Sequence, residues 1–161
     1  MLKVLYLHIS EDKYYTIMGG PYKEKPQDAI GVKMAMEIPF HEKSALQISI
    51  PTKDWSVPAK AQLDKGLYAA VKQIALGRPI YAGCMGGKGR TGLFMAVLAK
   101  AFGQPFPVEY VRMNYNKHAV ETPEQYKFVE NYVIPKNVLN MVRLMRVAAF
   151  FRFKKHLTNM L

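Results

Sequence analysis

The sequence is poor in cysteine, in acidic residues and in long apolar runs. A single cysteine, Cys84, among 161 residues leaves no partner for an internal disulfide. A lone thiol suits a reducing compartment, where it is either an inert buried side chain or a reactive one. No stretch approaches the roughly 18 consecutive apolar residues that mark a membrane span. Met1 to Ile9 includes Lys3 and His8 and lacks the apolar centre and small-residue cleavage site of a signal peptide. The expected location is therefore the cytoplasm. The histidines, His8, His41, His118 and His156, show no metal-ligand spacing with the one cysteine, so no metal is expected. Repeats, low-complexity tracts and long linkers are missing too, and residues 1–161 read as one domain.

The shortage of acids has a consequence of its own. Twelve Asp and Glu face 23 Lys and Arg, a formal net charge of +11. Such an excess favours a phosphate-bearing partner: a phosphorylated protein, a polyanionic phosphorylated small molecule or lipid, nucleic acid, or an anionic membrane. Half of the residues are hydrophobic, which is the composition of a chain that folds around its own core.

Leu2 to Ile9 reads as a first strand, and the turn-rich stretch with Gly19, Gly20, Pro21 and Pro26 reads as a surface loop. Ala45 to Ile50 alternates as a second strand that ends at Pro51. Between Ala59 and Leu76 the apolar residues recur at helical spacing, and Gly77 stands where a helix stops. Pro79 to Ala82 is a compact buried strand, followed by a glycine-rich loop and an apolar helix over about Thr91 to Phe102. Val108 to Asn116 reads as a short helix. Thr122-Pro123-Glu124-Gln125 is an N-cap, a proline and a polar first turn opening a helix that runs to about Val133. Pro135 breaks it before a basic amphipathic segment, 136–161. The pattern predicts an α/β fold, a mostly parallel central sheet flanked by helices, with the site at the carboxyl ends of the central strands.

Strand, loop and helix meet at Cys84-Met85-Gly86-Gly87-Lys88-Gly89-Arg90-Thr91-Gly92, where an arginine follows a cysteine by six positions. Small residues let successive backbone N–H groups converge on one anion, and the helix N-terminus adds its positive end. A guanidinium at the far end of the loop grips two phosphoryl oxygens with its planar fork. The cysteine sits beneath as a nucleophile whose thiolate the same donors stabilise. Three other readings compete. Gly87-x-Gly89-x-x-Gly92 matches a dinucleotide-binding pattern, but that leaves the Cys and Arg spacing unexplained. A Walker-type loop fails, because Gly89 follows Lys88 where Ser or Thr belongs and Ala82 occupies the first glycine position. A buried structural cysteine beside a glycine-rich turn stays open.

Cys84-x-x-Gly87-x-Gly89-Arg90-Thr91-Gly92 resembles the phosphate loop of the protein tyrosine phosphatase superfamily, in particular its small dual-specificity branch. Ile50-Pro51-Thr52-Lys53-Asp54-Trp55-Ser56-Val57-Pro58 is similar to the family's acid-bearing loop, thirty residues upstream of the cysteine, with Asp54 in the acid's place. Ala119 to Gln125 is similar to the segment that opens the penultimate helix. The resemblance spans roughly Ala45 to Val133. It implies a protein tyrosine phosphatase-like fold and cofactor-free hydrolysis of phosphate monoesters. In that scheme Cys84 is the nucleophile and Arg90 binds the phosphoryl group with the amides of Met85, Gly86, Gly87, Lys88 and Gly89. Asp54 is the general acid, Thr91 assists the departing sulfur, and Gln125 or Glu121 places the attacking water. Asp54 also has a plainer reading, as an exposed loop aspartate.

The family usually has histidine immediately before the cysteine, and here it is Gly83. That loss weakens thiolate stabilisation and leaves open a slow enzyme, or a loop that only binds phosphorylated ligands. Lys88 either adds a second cation at the phosphate or points into water, and the loop's Gly-Lys-Gly-Arg-Thr-Gly also resembles that of the phosphoinositide-directed branch. Nucleic acid is not the expected partner, since the tyrosines do not interleave with Lys and Arg in a binding motif. In the C-terminal segment Val138, Met141, Val142, Met145, Ala149 and Phe153 recur at three- and four-residue steps among Lys136, Arg143, Arg146, Arg152, Lys154 and Lys155. An apolar stripe of this kind usually packs on a core. The alternative is an interfacial helix on an anionic membrane, which would make the protein peripheral to it.

Overall fold

The computed structural model describes residues 3–11, 13–39 and 47–158, with side chains as far as residue 151. In chain order the elements are β1 (Lys3–His8), β2 (Tyr14–Pro21), a one-turn 3-10 helix (Tyr22–Glu24), β3 (Ile30–Ala35), β4 (Gln47–Thr52), α1 (Lys60–Ala75), β5 (Ile80–Cys84), α2 (Gly89–Ala101), α3 (Pro107–Asn114), α4 (Pro123–Asn131) and α5 (Lys136–Thr158). The expected strand residues Leu2, Ala45 and Leu46 lie outside the described residues.

The described strands form one sheet in the order β1-β2-β5-β3-β4. β2, β3 and β4 run parallel with their neighbours around β5, and β1 pairs antiparallel with β2 at the edge. The sheet is mostly parallel and flanked by helices, as the sequence pattern predicts. β5 sits at its centre and is buried on both faces, which is why Ile80-Tyr81-Ala82 reads as an unbroken apolar run.

Two elements depart from the reading of the sequence. The stretch around Gly19, Gly20 and Pro21 is not a loop; it is the end of β2, paired with β5 from Ile17 opposite Ile80 to Pro21 opposite Cys84. The glycines that signal a turn are there because neighbouring side chains approach closely. A Cβ on Gly19 would collide with the Met95 side chain, and one on Gly20 would stand 2.6 Å from the Tyr81 hydroxyl. β3 lies on the other side of β5, fully buried, and Lys33 within it breaks any simple apolar signature.

The core joins both faces of the sheet. Leu63, Leu67, Val71 and Ile74 of α1 and Leu93, Phe94, Val97 and Leu98 of α2 are all buried in it. α2 is apolar almost all round, so it occupies the interior, and its N-terminus is fixed at the end of β5. α4 begins as expected. The Thr122 hydroxyl accepts from Gln125 N at 3.1 Å while the Gln125 side-chain oxygen accepts from the Thr122 backbone, a reciprocal cap.

Candidate active site

The last residue of β5 is Cys84, almost wholly buried, and α2 opens at Gly89. The loop between them folds back under the sheet edge. Gly87 has φ +65, a backbone region costly for side chains, and a Cβ on it would run into the Gly20 and Pro21 backbone. The buried Tyr115 hydroxyl donates to Gly87 O at 2.7 Å and fixes the loop from below. Burial, and then the proximity of Cys84, push the Tyr115 phenol far above its ordinary range, so it stays a donor. Tyr81 is pushed up to about 12 by burial first, then by Glu24 and Cys84, and its hydroxyl donates to Pro21 O at 2.8 Å. Met85 and Lys88 are exposed and Gly86 faces open space, while Gly87 and Gly89 are buried.

Arg90 is 2% exposed, and its guanidinium needs a counter-charge there. Glu37 supplies it across two parallel bonds, NH1 to Oε2 at 2.7 Å and NH2 to Oε1 at 2.6 Å. NH1 also donates to Thr52 O at 2.9 Å, at the end of β4. Burial works against the charge on Arg90, but Glu37, Cys84 and Asp54 together more than offset it. The hydrogen bond from Arg90 holds the Glu37 carboxyl below its ordinary range. Behind this pair the buried Lys33 donates to Ile38 O at 2.6 Å, which anchors the turn that carries Glu37. No motif distinguishes Glu37 in the sequence. The only available clue is a physical one, that a buried arginine requires an acid.

A guanidinium has two fork-shaped edges, and Glu37 occupies the one between NH1 and NH2. On the other edge Arg90 Nε is buried without a hydrogen-bond partner, and the hydroxyl of buried Thr91 likewise has none. The orphan Arg90 Nε, on the loop of small residues that follows Cys84 and at a helix N-terminus, is a donor suited to a tetrahedral anion, and the Thr91 hydroxyl beside it in the chain is left for another acceptor.

Asp54 lies in the turn after β4 with its side chain largely exposed, and its Oδ1 is 3.0 Å from Arg90 NH2. The next residue, Trp55, has φ +61 and is exposed. The structure thus brings Asp54 and Cys84 to Arg90, while the Thr91 hydroxyl makes no hydrogen bond to the Cys84 sulfur. Gln125 is tied down at both ends: its oxygen accepts from Glu121 N at 2.9 Å, and its Nε2 donates to Ser56 O at 3.1 Å. It joins α4 to the loop that carries Asp54. The Glu121 carboxylate lies against Gly89.

The glycine before the cysteine has a steric cause. A Cβ on Gly83 would sit 2.8 Å from Tyr22 Cα and 3.0 Å from Gly20 O. The 3-10 turn occupies the space a histidine side chain would need. Tyr22 with Lys23, Lys25, Ile38, Gln47 and Met85 lines a cleft of about 460 Å³ that opens at Cys84. A second cleft, of about 380 Å³, is lined by Trp55, Lys88, Arg112, Lys117, His118 and Glu121. Among the described residues no three His, Cys, Asp or Glu side chains gather as metal ligands.

Residues 27–104, which contain Asp54, Cys84 and Arg90, match the family model described as polymorphic toxin system, DSP-PTPase phosphatase. Two uncharacterized proteins of Methanocaldococcus jannaschii are 37% and 36% identical to this chain over 84 residues, 52% of its length. The matched segment is 57% of the first relative and 53% of the second, so the chain spans little more than half of their length. Among solved structures, Tk-PTP in its active form superposes with a TM-score of 0.56 at 22% identity, covering 78% of this chain and 93% of that one. The kinase-associated phosphatase KAP, with its catalytic-site cysteine replaced by serine, gives 0.58 at 14% identity over 80% and 92%. PTPMT1 in complex with PI(5)P gives 0.55 at 19% identity over 89% and 98%. At these identities the structural likeness is one of fold.

Proposed function

We propose that the chain is a dual-specificity-like member of the protein tyrosine phosphatase superfamily, on the family match over residues 27–104, and that it hydrolyses phosphate monoesters through a phosphocysteine at Cys84. One observation carries the reading. Arg90 is held from behind by Glu37 while its Nε, buried beside the cysteine loop, has no partner. A buried donor of this kind is costly unless something accepts from it, and a phosphoryl oxygen fits.

In the first step the Cys84 thiolate attacks phosphorus, the bond from phosphorus to the ester oxygen breaks, and Asp54 gives that oxygen a proton. Arg90 and the loop amides hold the equatorial oxygens, whose charge has to be stabilised during transfer. Substrate exchanges the Asp54–Arg90 ion pair for a phosphoryl oxygen, which releases Asp54 for proton transfer. In the second step water attacks the phosphocysteine, Asp54 takes up the proton, and the sulfur leaves with a hydrogen bond from Thr91. The cycle consumes only water.

The clefts on either side of the loop favour a phosphate borne on a further anionic body. Lys23 and Lys25 line one, and Lys88, Arg112 and Lys117 line the other, against the single acid Glu121. PTPMT1, whose complex holds PI(5)P, is a precedent within the fold for such a substrate.

Release of phosphate from para-nitrophenyl phosphate tests the reaction. Turnover is expected in the wild type and should vanish in Cys84→Ser. Asp54→Ala should be slower by about a hundredfold, the typical contribution of a positioned acid or base, here chiefly as the base of the second step. Undiminished turnover in Cys84→Ser would overturn the reading.

A further inference from the structure

Helix α5 carries two apolar faces where packing on the domain uses one. Val138, Val142, Met145 and Ala149 recur at steps of four, three and four and are buried in the core. Half a turn round the helix, Leu144, Val147 and Phe151 recur at three and four, with Phe150 beside them. These four are 65%, 50%, 63% and 55% exposed, respectively. The two phenyl rings meet edge to face at 5.9 Å between centroids. A row of two aliphatic and two aromatic side chains on one exposed face is more than the scattered apolar residues of an ordinary surface.

The charges around this face choose its occupant. From Lys136 to Leu161 the sequence has no Asp or Glu, whereas Lys136, Arg143, Arg146, Arg152, Lys154 and Lys155 are all cations. A second copy of the chain would bring a molecule of net charge +11 against its own kind, with no acid on α5 to receive it. Nucleic acid would engage the cations and leave the apolar row unused. No described helix is long and apolar enough to cross a bilayer. We propose that α5 lies on the surface of an anionic lipid bilayer. Leu144, Val147, Phe150 and Phe151 enter the boundary between headgroups and acyl chains. Arg146 is turned back to donate to Phe102 O at 2.8 Å, and the other Lys and Arg of the segment meet anionic headgroups with their stems alongside. Neither term alone gives firm attachment, and the helix supplies both.

The test is co-sedimentation of the full chain with vesicles of phosphatidylcholine, with and without about a third phosphatidylserine. The wild type should bind the anionic vesicles, and about tenfold or more weakly the neutral ones. The combined variant Leu144→Ser, Val147→Ser, Phe150→Ser and Phe151→Ser should lose about tenfold or more in binding to the anionic vesicles. Its circular dichroism should be unchanged, because all four side chains are exposed. Arg143→Gln with Lys136→Gln, which keeps the apolar row, should weaken binding to the anionic vesicles and leave the neutral ones unaffected. Equal binding to both vesicle types, or equal binding by wild type and serine variant, would overturn the proposal. So would a wild-type dimer that the serine variant abolishes, since a second copy would then cover the face. Sedimentation reads binding alone, so the result does not depend on whether the chain turns over phosphate.

Discussion

At the scale of single residues, a buried guanidinium is stable only with a counter-charge, and Glu37 both neutralises Arg90 and sets its orientation. Cys84 and Arg90 stand out in the sequence because a phosphate-binding loop fixes their types and spacing, whereas Asp54 stands out only through the resemblance of its loop to a known family's. Glu37 does not, because the loop after β3 is free to supply an acid from any position that reaches. Glu37→Gln should keep the shape and lose the charge, so Arg90 should drift and kcat/KM should fall by about tenfold to a hundredfold. The variant should also change the acid limb of stability. The folded-state pKa of Glu37 lies below its unfolded value near 4.5. Its contribution is therefore fully present above that unfolded value and is lost as pH falls through the depressed folded one. Denaturant unfolding between about pH 3 and pH 7 should show wild type and Glu37→Gln converging toward the acid end. A constant difference across that range would mean that Glu37 contributes by packing rather than by charge.

At the scale of elements, the legible pieces are those whose periodicity is undisturbed by function. α1, α2 and α4 follow their apolar spacing and caps to within a residue or two. β2 and β3, the strands on either side of β5, were hidden by the features that make the site work. β2 ends in Gly19-Gly20-Pro21 because the Met95 and Tyr81 side chains crowd it. β3 is crossed by Lys33, which anchors the turn carrying Glu37. The same crowding accounts for Gly83, and it makes an unusual forecast. Placing a histidine before the cysteine by Gly83→His should not improve the proposed turnover. Its Cβ would press on Tyr22 Cα, a backbone atom that cannot swing aside. A loss of about 1–3 kcal/mol in stability, seen as a lower denaturation midpoint, and slower turnover are expected. A variant as stable as the wild type would show that the 3-10 turn yields.

At the scale of the whole molecule, the sheet order places β5 at the centre with its carboxyl end open to both basic clefts. The topology thereby gathers an acid from after β3, an acid from after β4 and the cysteine of β5 around the arginine of α2. Part of the excess of Lys and Arg that composition alone assigns to an unspecified anionic partner lines the two clefts, and part lies along α5. The central claim is that phosphate passes through the sulfur of Cys84. It is tested most directly by quenching Asp54→Ala with detergent at mildly alkaline pH, where a phosphorus–sulfur bond survives, during turnover of an aryl phosphate and mapping the phosphoryl group by mass spectrometry at that pH. An aryl oxide leaves with little need of a proton, whereas the second step needs Asp54 to activate water, so the intermediate should accumulate. A phosphoryl group on the peptide containing Cys84, lost in the Cys84→Ser background, is the expected result. Turnover with that peptide unmodified, or with phosphate on another residue, would contradict the account.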